Sequence, residues 1–540
     1  MSYDRNTKIL SGIDVPPMYH PNITLGEFLL HYLYRDSTRV IQTNHDDGVQ
    51  ITAGEMAKLG CQIAGGLLKH IKMGDVIGIV CKNTSYVTPL ILGGFLAGTP
   101  VSTVDPTYRA NDIAHVFSLT KPKIVFCDKD NLSEVKEGLR QSEIDCKVLT
   151  VDERTAGHSH LFELYESSAA NTEFRPKRLD IKASKNCAAI LCSSGTTGLS
   201  KGCMLSHQQC MGLTKAGPYF ATLFSFSSLY WYTGFSGLMQ SLGNNVNRVI
   251  TKKSFSPELL VEIIEKHKVN AIVASPTHIV LLLNAKIIIE KADFSSLWLA
   301  ILTGGPMDMS LRKEFQKYLK TGSIAMYYAT TENGSVISST TPFEPVSNSC
   351  GKPMPNTKVK VVDDDGNSLD ALQVGEICVL HPYSFLGYCN NKEETDSAVD
   401  SLGWLRTGDI GYVTDGGEIF LVDRKKEVFK QMNYTVYPSE IESFILNIKG
   451  VKEVCVVGIR ELDGWRGAAV VVTEAESAIT EKEIVDEVHK NFPDFKRLHG
   501  GAYFVDSLPI TSNGKIKRLE ARAIAEKMYA QKSRSSFKID

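Results

Sequence analysis

Ten consecutive residues concentrate polar chemistry in this 540-residue chain: Ser193, Ser194, Gly195, Thr196, Thr197, Gly198, Leu199, Ser200, Lys201 and Gly202. Five are hydroxylic, three are glycine and one is lysine. Glycine lets successive backbone N–H groups turn inward, Ser and Thr add short donors, and Lys adds a point charge, so the run has the makings of a polyphosphate cradle. Gly195 and Gly198 lie three apart rather than five, and Gly202 follows Lys201 where a Walker motif needs Ser or Thr, which disfavours a P-loop NTPase. Without context the same run would pass as a polar surface turn. Its neighbours must decide.

Positioning such a loop requires a sheet. Short β-rich runs recur at 76–81, 124–127, 148–151, 188–192, 269–274 and 297–302, most bounded by Gly, Pro, Asp or Ser, and alternate with helical stretches. That rhythm predicts α/β layers around a largely parallel sheet, with the run 188–192 feeding the polar loop. Thr24 with Glu27 and Thr52 with Glu55 are capping boxes that start two amphipathic helices. After Gly351, strands at 359–362, 375–380 and 418–422 are separated by Asp-Gly and Gly-Gly turns, giving a β-rich subdomain over about 350–424. Beyond it, a helix from Pro438, strands at 454–459, 468–472 and 502–505, and a helix capped by Thr480 and Glu483 make an α+β unit. The expected fold class is α/β: a large amino-terminal domain of layered α/β subdomains plus the β-rich subdomain over 1–424, then a small α+β carboxyl-terminal domain over 425–540.

Composition bounds the partners. At 43% hydrophobic and 22% charged the chain is an ordinary globular protein, and 59 Lys plus Arg nearly balance 61 Asp plus Glu. No global field draws it to nucleic acid or anionic lipid, so an anionic ligand must be held locally. The 12 cysteines form no C-x-x-C pair or zinc-like cluster, which favours reduced core thiols. The most apolar window, 87–104, contains Pro89, Gly93, Gly94, Gly98 and Pro100 and is expected to be a buried helix and loop rather than a transmembrane segment. The first ten residues lack an apolar signal core and the last four, Phe537-Lys538-Ile539-Asp540, are neither S-K-L nor K-D-E-L. Cytosol is the expected compartment, with peroxisomal import by another route left open.

Further motifs follow in order: Thr303-Gly304-Gly305-Pro306; Tyr328-Ala329-Thr330-Thr331-Glu332; Gly403-Trp404-Leu405-Arg406-Thr407-Gly408-Asp409; Val422-Asp423-Arg424; and Ser512-Asn513-Gly514-Lys515-Ile516. Together with the polar loop they resemble the adenylate-forming superfamily of acyl-CoA synthetases, coumarate–CoA ligases and firefly luciferases, over nearly the whole chain. The resemblance implies an acid–thiol ligase of the acyl-CoA synthetase type that uses ATP, Mg²⁺ and coenzyme A on a small carboxylic acid, with no nucleic-acid partner. Ser193, Ser194, Gly195, Thr196, Thr197, Gly198 and Lys201 would hold phosphates. Gly304, Gly305 and Pro306 would offer backbone to adenine, with Tyr328 stacked on it. Asp409 and Arg424 would hold the ribose, and Thr331 and Glu332 the α-phosphate region and magnesium. Lys515, on the small mobile domain, would sit between the acid and the α-phosphate. The hinge would fall at Lys425 or Lys426, and the region from Lys430 through Asn433 would serve the thioester step.

Several positions depart from the family pattern. Ser200 stands where Pro is frequent, and Tyr327 and Ala329 where Gly is common. Asn433 replaces a Gly beside the thiol tunnel, so coenzyme A use is less secure than adenylation. Tyr232, Thr233, Gly234 and Phe235 would line the acid pocket, with Thr233 where luciferases have His, which argues against light emission. Trp231, Tyr232 and Phe235 suit a hydrophobic fatty or aromatic acid, although as a stripe they fit a core equally well. A luciferase-like enzyme without coenzyme A and a degenerate nucleotide or acyl binder are the alternatives.

Overall fold

Strands of four or five residues buried on both faces, such as Ile77–Val80 and Leu299–Thr303, are suited to a parallel sheet covered by helices, and they pair that way here. The computed structural model describes residues 2–16, 20, 22–152, 154, 157–166, 179, 181–193, 200–214, 221–305, 307, 309–340, 347–381, 383, 385–432, 434–461, 464–511 and 514–536. Two compact units emerge, one of Ser11–Lys358 and Val379–Arg406, the other of Ser2–Leu10, Val359–Cys378 and Thr407–Asp540.

The larger unit holds two sheets. The first has six strands in the order Lys201–Ser206, Cys187–Ser193, Val101–Thr103, Ile77–Val80, Ile124–Cys127 and Lys147–Thr150, parallel except for the hairpin of the first two. The second has nine strands. Six are parallel and adjacent: Ser323–Thr330, Leu299–Thr303, Ala271–Ala274, Thr222–Phe224, Asn247–Ile250 and Val40–Asn44. Helix Val87–Ala97 is buried along its whole length and ends on Gly98 at φ 70°, so the apolar window is an internal helix as expected. Among the described residues no helix is long and apolar enough to cross a membrane. The capping boxes at Thr24 and Thr52 form with both reciprocal hydrogen bonds.

The smaller unit contains a sheet ordered Ser2–Asp4, Ile9–Ser11, Lys358–Val362, Gly375–Leu380, Leu405–Val413 and Ile419–Arg424. Its first two strands, three residues each, lie in a stretch for which the sequence predicts no strand. A ribbon of Phe429–Gln431 with Tyr434–Val436 and a three-stranded sheet of Val451–Glu461, Gly464–Thr473 and Ala502–Phe504 follow, covered by helices Pro438–Ile445, Glu481–Asn491 and Arg518–Ser536. Pro438 occupies the first turn of its helix and Thr480 caps the next with Glu483, as the spacing predicts. The chain is thus a mixed α/β protein with a large amino-terminal and a smaller carboxyl-terminal part.

Burial in the larger unit sets a pH response. His278 is 8% exposed, stacks on Phe255 with centroids 4.2 Å apart, and burial pulls its pKa down to about 4. The unfolded imidazole takes its proton near its ordinary value of 6.5, so the stability it contributes is complete above that pH and is lost as pH falls toward 4. Buried His207 behaves alike, while Asp128, pushed up to about 7 by burial, titrates with the opposite sign. The difference between wild type and His278→Phe therefore isolates one group. Urea unfolding at stepped pH should give the variant a slope shallower by about 1.4 kcal/mol per pH unit between 6.5 and 4; equal slopes would mean that His278 is charged in the fold.

Candidate functional site

Hairpin Cys187–Ser193 and Lys201–Ser206 places Lys201 directly opposite Ser193, so the polar loop is the turn of this hairpin. Ser194, Gly195, Thr196, Thr197 and Gly198 lie outside the described residues, as do Pro306, Asn433, Ser512 and Asn513. The stem is well fixed. Ser200 Oγ lies 3.2 Å from Tyr108 Oη and 3.1 Å from Tyr230 Oη, and its carbonyl is 2.8 Å from His115 Nε2. The departure from proline thus gives the loop a hydroxyl anchor that proline lacks.

Lys201 is the centre of a charged array. Its side chain is 11% exposed, and Nζ donates to Glu394 Oε2 at 2.5 Å while lying 5.0 Å from the centroid of the Tyr388 ring. Tyr388 Oη in turn donates to Glu332 Oε1 at 2.9 Å. Burial, then the Glu332 charge, holds this phenol well above its usual range, so it remains a donor. Backbone pairing brings the segment alongside: Cys389 N–H donates to Gly202 O at 2.8 Å and Met204 N–H to Gly387 O at 3.0 Å. The predicted phosphate lysine and magnesium carboxylate are therefore linked through one tyrosine. Tyr388 and Glu394 were not picked out by sequence. The available signal was the Gly387-Tyr388 pair ahead of the polar run 389–396, far from Lys201 in the chain.

The other positions in this unit cluster on one sheet edge. Thr303 ends strand Leu299–Thr303, and Thr331 and Glu332 follow strand Ser323–Thr330, parallel to it. Gly304 has φ 93°, a conformation that needs glycine, and a Cβ on Gly305 would meet nothing within 4 Å. Tyr328 is only 6% exposed, so its ring offers no open face here, and stacking on adenine requires it to move. The aromatic stripe makes packing contacts of the kind that the core alternative expects. Phe235 is fully buried against Phe95, Trp231 Nε1 donates to Asp105 Oδ2 at 3.0 Å, and Tyr232 packs on the same core as Phe235. Helix Tyr232–Asn244 buries Gly234 and Phe235 and leaves Tyr232 and Thr233 half-buried, and Gly234 lines a small cavity.

In the smaller unit Asp409 pairs directly opposite Arg424 across antiparallel strands, with Arg424 Nε 3.1 Å from Asp409 Oδ1. Lys425 Nζ lies 3.2 Å from both Glu376 and Asp364, and its backbone N–H donates to Gly408 O. Burial pulls the Lys425 pKa down, but these two carboxylates outweigh it and leave it raised. Lys426 follows in the turn, and Lys430 is exposed on its ribbon. Lys515 sits on a tight turn: its N–H donates to Thr511 Oγ1 at 3.0 Å, Thr511 N–H donates back to its carbonyl at 2.7 Å, and Gly514 has φ 81°. Three residues on, Arg518 binds both oxygens of Glu442 at 2.6 and 2.7 Å and Glu427 at 2.8 Å, fixing the base of that turn. A lone Arg at the start of a helix carries no such signal in sequence.

Gly304 and Glu332 leave one edge of the nine-stranded sheet, and Tyr388 connects Glu332 to Lys201 on the six-stranded sheet, an arrangement suited to an α/β enzyme that handles a nucleotide. The fold matches a solved anthranilate CoA ligase in complex with anthranoyl-AMP at TM-score 0.85 and 19% identity, covering 95% of this chain and 99% of that one. Luciferin 4-monooxygenase of Luciola mingrelica is 30% identical over 507 residues, 90% of this chain and 91% of the relative. A 4-coumarate–CoA ligase of Humulus lupulus is 30% identical over 546 residues, 97% of this chain and 98% of the relative. The AMP-binding enzyme model matches residues 32–389 and that for the AMP-binding enzyme C-terminal domain matches 440–515; the chain belongs to this adenylate-forming family.

Polyphosphate would compete with Glu394 for Lys201. Glu394→Gln removes a pair that is partly open to solvent, worth about 0.5 to 1 kcal/mol. Steady-state kinetics should show KM for ATP falling roughly two- to fivefold; an unchanged or higher KM would show that Lys201 does not exchange partners.

Proposed function

We propose that this chain is an ATP-dependent acid–CoA ligase that activates a hydrophobic carboxylic acid as acyl-AMP and passes the acyl group to coenzyme A. The observation that supports it most is the array in which Lys201 bonds Glu394 and lies over the Tyr388 ring, whose hydroxyl bonds Glu332, a pairing suited to a phosphate-bound cation. Family membership and ligase relatives support the same reaction class.

In the first half-reaction a carboxylate oxygen attacks the α-phosphorus, the bond to the bridging oxygen breaks, and pyrophosphate leaves. Lys201 holds the leaving phosphates, while Lys515 neutralises charge between the incoming carboxylate and the α-phosphate. Glu332 fits a hard divalent cation carried in by the nucleotide, since one carboxylate with phosphate oxygens and waters completes its shell. Magnesium, when bound, offsets charge on the phosphate oxygens. Gly304 and Gly305 admit the adenine close to backbone, and Asp409 with Arg424 receives the ribose hydroxyls. In the second half-reaction the thiol attacks the acyl carbonyl and AMP leaves, after the residues beyond Arg424 rotate about Lys425 or Lys426 to bring the Lys430 and Asn433 face forward.

Pyrophosphate exchange across a panel of acids, with AMP release measured with and without coenzyme A, tests both halves. Lys515→Ala should slow exchange about 100-fold, the loss of roughly 3 kcal/mol of preorganised charge. Exchange at the wild-type rate would remove Lys515 from adenylation. Lys426→Pro should leave exchange intact and impair thioester formation, because proline restricts the torsion that the rotation needs. Acid-dependent exchange with no acceleration by coenzyme A would favour a luciferase-like enzyme instead.

A further inference from the structure

Arg248 is a buried cation without a counter-ion among the described residues. It lies in strand Asn247–Ile250, is 6% exposed, and its side chain makes no hydrogen bond or ion pair with any described residue. Its Nε is buried and unpartnered. Burial alone lowers its pKa, to about 10, and no neighbouring carboxylate offsets the effect, so the guanidinium is still charged at neutral pH. Leaving an ion so placed costs several kcal/mol relative to water.

The guanidinium lines a small cavity together with Asn83, Leu223, Ser225, Ser227 and Gly234, and no acidic side chain is among the lining residues. A second orphan faces the same space. Asn83 Nδ2 donates to Ser227 O at 3.1 Å, but its Oδ1 is buried with no partner. Gly234 is required at its corner, since a Cβ there would fall 2.2 Å from Ser228 O. The cavity therefore combines an unmatched cation, an unmatched amide oxygen and apolar walls from Leu223, Val249 and Ile250.

Its position in the fold ties it to the reaction. Ser225 and Ser227 follow strand Thr222–Phe224, Val249 and Ile250 end strand Asn247–Ile250, and both strands run parallel to those that deliver Gly304 and Glu332. Ser225, Ser227, Gly304 and Glu332 therefore leave the same carboxyl edge of one sheet, where α/β proteins hold ligands, while Arg248 sits inside its strand, level with Leu223, Ala271 and Leu299. Gly234 also belongs to the segment that the family resemblance assigns to the acid.

We infer that the acid activated by this chain carries a second carboxylate at the end of an apolar body, and that Arg248 receives it. This rests on the adenylation proposed above and narrows its substrate class to dicarboxylic acids. A monocarboxylic acid of equal length would leave the guanidinium unpaired, so discrimination comes from the unmatched charge as much as from the matched one.

The test compares unbranched α,ω-dicarboxylic acids with monocarboxylic acids of matching length, in pyrophosphate exchange and in thermal shift without ATP, for wild type, Arg248→Met and Arg248→Lys. Wild type should favour the best diacid by about tenfold or more in kcat/KM, through KM. Arg248→Met should lose that preference while retaining the monoacid rate and the KM for ATP, should melt no lower than wild type because an unpaired buried charge is gone, and should lose the diacid thermal shift. Arg248→Lys should keep part of it. Equal use of both acids by wild type, an equal loss for both acids in Arg248→Met, or a lower melting temperature of that variant would each overturn the inference. Absence of exchange with every acid, alongside a diacid shift that Arg248→Met abolishes, would instead retain the subsite and refute adenylation.

Discussion

Six adjacent strands of one sheet run the same way, and that shared direction is the constraint on which the candidate site depends. A parallel sheet discharges every strand at the same edge, so residues far apart in the chain arrive together without any local signal linking them. Thr303 and Gly304, Thr331 and Glu332, Ser225 and Ser227 all reach that edge for this reason. Strands short enough to be buried on both faces keep the register tight, and the helices that return the chain occupy the faces.

Charge is handled in two different ways within the larger unit. Lys201 is neutralised by Glu394 and shielded by the Tyr388 ring, so a polyphosphate bound as proposed would exchange one anion for another rather than desolvate a bare ammonium. Arg248 is left without a partner in a cavity lined by an equally unsatisfied amide oxygen. The first arrangement moderates affinity for a ligand that many enzymes share, whereas the second rewards only a ligand with the right far end.

Much of this was legible in the sequence, for reasons that differ by residue. The strand runs, the caps at Thr24, Thr52 and Thr480 and the proline at 438 depend on neighbours within a few positions, and all form where the spacing puts them. The loop ending at Lys201 announced itself by composition. Tyr388 and Glu394 did not, because their roles come from a bridge that lays residues 387–389 beside the Lys201 strand nearly two hundred positions away. The aromatic run from Tyr230 to Phe235 is ambiguous in sequence between pocket and core, and in the fold Tyr230 and Phe235 are buried while Trp231, Tyr232 and Thr233 are half-buried. Arg248 is an ordinary arginine in a short strand until burial removes every partner from it.

Strand Ile9–Ser11 pairs on one side with nearby Ser2–Asp4, but the neighbour on its other side, Lys358–Val362, comes about 350 residues further along the chain. At roughly 5 to 20 residues per second on the ribosome, that edge of exposed backbone donors and acceptors waits on the order of 20 to 70 seconds for its mate to be made. The smaller unit therefore cannot close until both stretches have been made, and the unpaired edge of Ile9–Ser11 is where holdase protection would matter most.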